Sequence, residues 1–292
     1  MAGRALVLGG GGVVGIAWEA GVVAGLARGG VDLRGADRVI GTSAGAIVGA
    51  WVAAGRDPVE AAAAELFGDG GPREQGPSGA KPDAEPLGRI LRTWSAFQHL
   101  GAKEARVLGA LALEAPAPEE ERFVGWIARE IRTNRWPGSL SVTAVEVESG
   151  HSRVFDASSD APLERAVAAS CAVPGIFAPV AVDGSWYMDG GVRSLTNADL
   201  ARADGPEAVL VIAPLPRGAP RLARLMARLL AEEVALLRAR GNAVSVITPS
   251  AAEFRAFGPN LMDPAARATA VDAGRERGRR EARSPALSAW QS

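Results

Sequence analysis

The chain has 292 residues, 48% hydrophobic and 22% charged, enough apolar mass to bury a sizeable core; an α/β architecture of this length commonly forms one domain. Its 32 basic side chains, nearly all arginine, balance 33 acidic ones to a formal net charge of −1, so no global field draws in nucleic acid. The single cysteine, Cys171, excludes an internal disulfide framework and fits a reducing compartment.

In chain order, residues 5–8 read as a short buried strand. The apolar run is too short for a signal-peptide core before four glycines interrupt it. Residues 13–26 carry Glu19 and several glycines, which makes a poor membrane span. The expectation is a cytoplasmic protein whose membrane contact, if any, is peripheral. A helix over 16–27, a strand over 38–40 and an Ala/Gly-rich helix over 44–54 follow. Residues 68–86 are rich in Gly, Pro and charge without periodicity and read as a mobile loop. Helical patterns then cover 87–113 and 117–133. Strands near 140–147 and 151–155 are joined by a Ser-Gly turn. A helix near 162–171, short strands around 182–185, a strong strand over 208–213, a helix over 219–239, a strand over 243–248 and a last helix over 264–280 complete the pattern. The alternation of strands and helices argues for an α/β fold, with helices layered on the sheet. A single domain over 1–280 is expected, with 281–292 as a loose tail.

The glycine run after the first strand lets backbone N–H groups converge on one point, a nest for an anion. Gly10, Gly12 and Gly15 satisfy G-x-G-x-x-G, and Asp32 or Asp37 stands where a ribose-binding carboxylate would follow. The alternative anion is the oxyanion of an acyl-transfer intermediate. The next strand runs directly into GTSAG, residues 41–45, which the dinucleotide reading leaves unused. A sharp strand-to-helix turn needs neighbours without bulk, and Gly41 and Gly45 supply them, so that Ser43 projects as a nucleophile at the start of a helix. The bland reading of the same five residues is a Gly/Ser turn with Ser43 as N-cap.

A serine nucleophile needs a base. The two histidines, His99 in a helical stretch and His151 beside a turn, read as surface or packing residues. The stronger candidate is Asp189 in YMDGGVRSLTNADL, held before Gly190 and Gly191 in a tight turn. At its reference pKa of about 3.9 an aspartate is a weak base and must be desolvated to accept a proton from Ser43. An ordinary Asp-Gly turn is the competing reading. No His/Cys cluster or calcium loop is visible, so no metal and no cofactor are expected.

The glycine run, GTSAG and DGG, in that order, together with ASCAVPGIFAPV at 169–180, resemble the patatin-like phospholipase family over most of residues 5–215. The resemblance implies a three-layer α/β/α fold with a central, mostly parallel sheet, and a serine lipid acyl hydrolase acting on a lipid or fatty acyl ester. It further implies Ser43 as nucleophile, Asp189 as base, and the backbone around Gly10, Gly11 and Gly12 as oxyanion hole. Val14 departs from the family, which usually carries Arg or Lys just before the last glycine of this motif; the change weakens the expectation of strong phosphate-ester selectivity. An acyltransferase or thioesterase on the same dyad, or a non-catalytic lipid-binding protein, are the alternatives. Apolar residues from Leu87 to Leu111 suit either an acyl pocket or plain core. Arg221, Arg224 and Arg228, interleaved with leucines, suit either a membrane-surface helix or, favoured by the flanking strands, a helix covering the sheet with a solvated basic face.

Overall fold

The computed structural model describes residues 3–67, 83–201, 207–215 and 220–291. Its elements run β1 (Gly3–Leu8), α1 (Gly12–Arg28), β2 (Arg38–Gly41), α2 (Ala44–Ala53), α3 (Pro58–Phe67), α4 (Ala84–Ala96), α5 (Ala102–Glu114), α6 (Glu120–Ile131), β3 (Leu140–Glu146), β4 (Ser152–Phe155), α7 (Leu163–Cys171), β5 (Val180–Val182), β6 (Ser185–Asp189), β7 (Glu207–Ile212), α8 (Pro220–Ala239), β8 (Ala243–Ile247), α9 (Ala251–Phe257) and α10 (Arg267–Glu281). Most of the loop expected over 68–86 lies outside the described residues. Its last residues do not: Asp83 caps α4, and the helix starts at Ala84.

Among the described residues the sheet has eight strands, ordered β5-β6-β3-β2-β1-β7-β8, with β4 paired to β3. The run from β3 to β8 is parallel. Antiparallel pairing is confined to β3, β4, β5 and β6 at the other side. The central strands are buried on both faces, so residues 5–8 of β1 read as an unbroken apolar run whose side chains nevertheless divide. Leu6 and Leu8 join the core under α1, α2, α6, α7 and α10, whereas Ala5 and Val7 join the core under α8. Helices therefore cover both faces, giving three layers.

The packing bears on three of these readings. The 87–113 stripe splits into α4 and α5, and its Ile90, Trp94 and Leu108 pack with Val145, Met188 and Val192. That core lies across the sheet from Val142, Ala144 and Tyr187. Residues 285–291, expected to be part of a loose tail, pack instead. Ser284 caps a short turn from Pro285, Trp290 is 1% exposed, and Gln291 bridges to Val31. Finally, Asp32 and Asp37, the spacing candidates of the dinucleotide reading, are engaged in local structure. Asp32 caps the turn at Leu33 and pairs with Arg34, and Asp37 accepts the Arg4 N–H.

Candidate active site

Register explains why two residues far apart in sequence meet. Gly41 of β2 lies beside Val142 of β3, and Asp189 of β6 lies beside Ala144; β4 pairs with Val142 and Ala144 along one edge, so β2 and β6 follow one another along the opposite edge of the same strand. Where β2 leaves that edge past Gly41, β6 takes its place at Ala144, so the nucleophile candidate and the carboxylate candidate meet at the junction of the two strands on one edge of β3.

The turn that carries Ser43 is tight. Ser43 has φ 54° and ψ −119°, a region that side chains avoid, and is held there by its surroundings. Its N–H donates to Ser170 Oγ at 2.9 Å. Thr42 donates its N–H to the Leu8 carbonyl and Gly45 donates to the Gly9 carbonyl, each at 3.0 Å, which ties α2 onto the end of β1. A Cβ on Gly45 would collide with the Leu8 carbonyl, and one on Gly41 would stand 2.6 Å from Ala46 Cα. Only glycine permits this approach.

Asp189 is 3% exposed. Its Oδ1 accepts the Gly191 N–H at 2.7 Å, while Oδ2 is buried without a hydrogen-bond partner among the described residues. Burial pushes the Asp189 carboxyl up to about 7; the Ser43 hydroxyl beside it and the Gly191 N–H draw it partly back. Gly190 packs so closely on Thr143 that a Cβ there would strike it. A buried polar knot holds elbow and turn together: Thr42 and Thr143 share a 2.8 Å hydrogen bond. Asn197 Nδ2 donates to Thr42 Oγ1 at 3.1 Å and to the Ser194 carbonyl at 2.7 Å.

The glycine run lies against this pair. Gly10 stands beside Ser43, since a Cβ on it would be 3.4 Å from the Ser43 Cβ. Its amide, expected as an oxyanion donor, is instead committed to the Leu195 carbonyl at 2.7 Å, because the chain after the DGG turn folds back over the loop. The Gly11 and Gly12 amides make no such bond among the described residues. Gly12 takes φ 60°, and Leu261 and Met262 crowd its Cα. Buried Glu19 reaches from α1 to accept the Gly9 N–H at 3.0 Å, and burial keeps its carboxyl well above the usual range.

Ser43 opens onto a cleft lined by Gly12, Val13, Ile16, Ile47, Trp126, Cys171, Phe177 and Met262. The cleft is narrow, with a free volume of about 30 Å³. None of the Leu87–Leu111 stripe lines it. Burial, then the Asp189 charge, pushes the Cys171 thiol up, which leaves it protonated and un-nucleophilic. His99 is exposed and pairs with Glu104, and His151 is exposed in its turn, so neither reaches Ser43. Ser170, Asn197, Cys171 and Glu19 escape sequence reasoning. Of these only Glu19, a carboxylate inside an otherwise apolar helix, gave any signal in the sequence. Among the described residues no helix is long and apolar enough to cross a membrane, and no group of three His, Cys, Asp or Glu could hold a metal.

The family model for patatin-like phospholipase matches residues 6–202. Among solved structures the chain is similar to VipD from Legionella pneumophila, with a TM-score of 0.45 and 16% identity, covering 96% of this chain and 66% of that one. It is also similar to the type III effector protein ExoU, with a TM-score of 0.41 and 15% identity, covering 98% of this chain and 54% of that one. The chain thus spans less than two thirds of the length of either. The matched stretch exceeds half the sequence and contains the glycine run, Ser43 and Asp189: the chain belongs to the patatin-like phospholipase family.

Proposed function

We propose that the protein is a serine acyl hydrolase that cleaves carboxylic esters of lipids through a Ser43/Asp189 dyad. The observation that carries this reading is the unpartnered, buried Oδ2 of Asp189, whose carboxyl is pushed up to about 7 beside a serine locked in a strained elbow. A base of that strength accepts a proton at neutral pH far better than an exposed aspartate. Asp189 takes the Ser43 proton as Oγ attacks the ester carbonyl. The Gly11 and Gly12 amides receive the developing oxyanion, Gly10 serving to hold the loop. Collapse expels the alcohol, which leaves with the proton from Asp189. Water then attacks the acyl-enzyme with Asp189 again as base, releasing the fatty acid and restoring Ser43.

The test is intact mass after exposure to a long-chain fluorophosphonate. Wild type is expected to gain one adduct, Ser43→Ala none, and Asp189→Asn to react at least about a hundredfold more slowly. A wild type that stays unlabelled while a control hydrolase reacts would refute the proposal. An added alcohol in the ester assay separates hydrolysis from acyl transfer.

A further inference from the structure

We propose that the cleft between α4 and α8 docks the protein onto an anionic lipid surface by taking its phosphate groups. Helix α8 turns Leu230, Val234 and Leu237 to the core beneath the sheet, and Met226 to the neighbouring core shared with α4 and α5. Arg221, Arg224 and Arg228 recur at spacings of three and four, which sets them along one side of the helix. All three line a cleft of about 480 Å³ whose opposite wall is Ser95, Ala96, Phe97 and Gln98, at the end of α4. Arg228 is partly engaged, donating to the Gln98 carbonyl and standing 3.5 Å from Glu232. Arg221 and Arg224 have no carboxylate partner among the described residues.

Cations gathered around a hollow repel one another until an anion enters, and guanidinium forks match phosphate oxygens. The chain's net charge of −1 makes this a local feature rather than part of a basic molecule. Nucleic acid would need a track of cations along a groove. Here the cations are confined to one hollow beside apolar Phe97 and Leu225, a mixture suited to a headgroup and the glycerol esters beneath it. The position is also apt. Leu222, Met226 and Leu229 of α8 share an apolar cluster with Leu195, whose side chain lies against Gly10 of the glycine loop. Continuous packing therefore joins the cleft to the glycine loop. The inference goes beyond the proposed chemistry and stands or falls without it, because its test reads binding.

The full chain is sedimented with vesicles of phosphatidylcholine alone, or with about 30 mol% phosphatidylglycerol, and compared with Arg221→Gln/Arg224→Gln. Wild type is expected to prefer the anionic vesicles, and the double variant to partition about 30-fold more weakly, about fivefold per arginine, with the difference vanishing in about 0.5 M salt. Arg221→Lys/Arg224→Lys, which keeps the charge but not the fork, is expected to bind between wild type and the glutamine variant. Thermal melts and turnover of a soluble short-chain ester, unchanged in both variants, separate loss of docking from loss of fold or of Ser43 chemistry. Equal partition of wild type and the glutamine variant would overturn the proposal. So would tight calorimetric binding of inorganic phosphate with no preference for anionic vesicles, which assigns the cleft to a free phosphate.

Discussion

Ser43 and Asp189 each occupy a state that an isolated residue avoids, one in backbone conformation and the other in ionisation. Both are imposed by close approach: the elbow by β1 and Ser170, the carboxyl by removal of water. With Asp189 pushed up to about 7, kcat/KM for a soluble ester is expected to rise through an apparent pKa near that value and level off above it, since only the ionised carboxyl accepts the Ser43 proton. A pH–rate profile flat between pH 5 and 9 would exclude Asp189 as base. Sequence reasoning could find both residues, because Gly41, Gly45, Gly190 and Gly191 are traces that tight packing leaves in a sequence. It mistook Gly10 for a free donor because the Leu195 carbonyl arrives from far along the chain. Asn197, Ser170 and Cys171 were hidden for the same reason, since ordinary polar residues acquire their roles only when distant segments meet.

At the scale of elements, the decisive contact joins α1 to α10. Gly21 and Gly25 of α1 face the Val271 and Arg275 carbonyls, and Gly274 and Gly278 of α10 face those of Trp18 and Val22, with no room for a Cβ at any of the four. Backbones this close multiply dispersion contacts and anchor the helix that begins at the glycine loop. Gly274→Val is expected to force the pair apart and lower the melting temperature by at least about 5 °C. Gly125→Ala, on a part of α6 with open space around the Cα, is expected to be neutral or slightly stabilising. Calorimetry of both variants checks the contrast. The long elements were legible from periodicity. Helices α3 and α9 were missed although their start signals stand in the sequence: Asp57 bonds the Val59 and Glu60 amides ahead of α3, and Ser250 and Glu253 form a capping box on α9. Their short, alanine-rich bodies carry little pattern beyond those caps.

For the molecule as a whole, burying acids has a cost that depends on pH. Between about pH 4 and 7 the folded chain keeps a proton on Asp189 that the unfolded chain releases, so stability is highest at the acid end and falls as pH rises through this window, by up to about 4 kcal/mol. Glu19, also raised by burial, acts in the same direction. Asp189→Asn removes the Asp189 contribution and is expected to melt higher than wild type at pH 8, with the gap narrowing toward pH 5; scans at both values check this. The fold class was readable from alternation, but the strand order was not. Strands buried on both faces look alike in sequence, and nothing local tells residues 3–8 to pair with 207–212.

The family match ends at residue 202, yet Leu261 and Met262 reach back to the glycine loop. The Leu261 carbonyl accepts the Val14 N–H at 3.0 Å, while Met262 walls the cleft at Ser43. In the proposed chemistry, one peptide unit thereby joins appetite to speed. The side chain that selects an acyl group hangs from the backbone that steadies the oxyanion donors, so selection for a new diet at this point also retunes the rate.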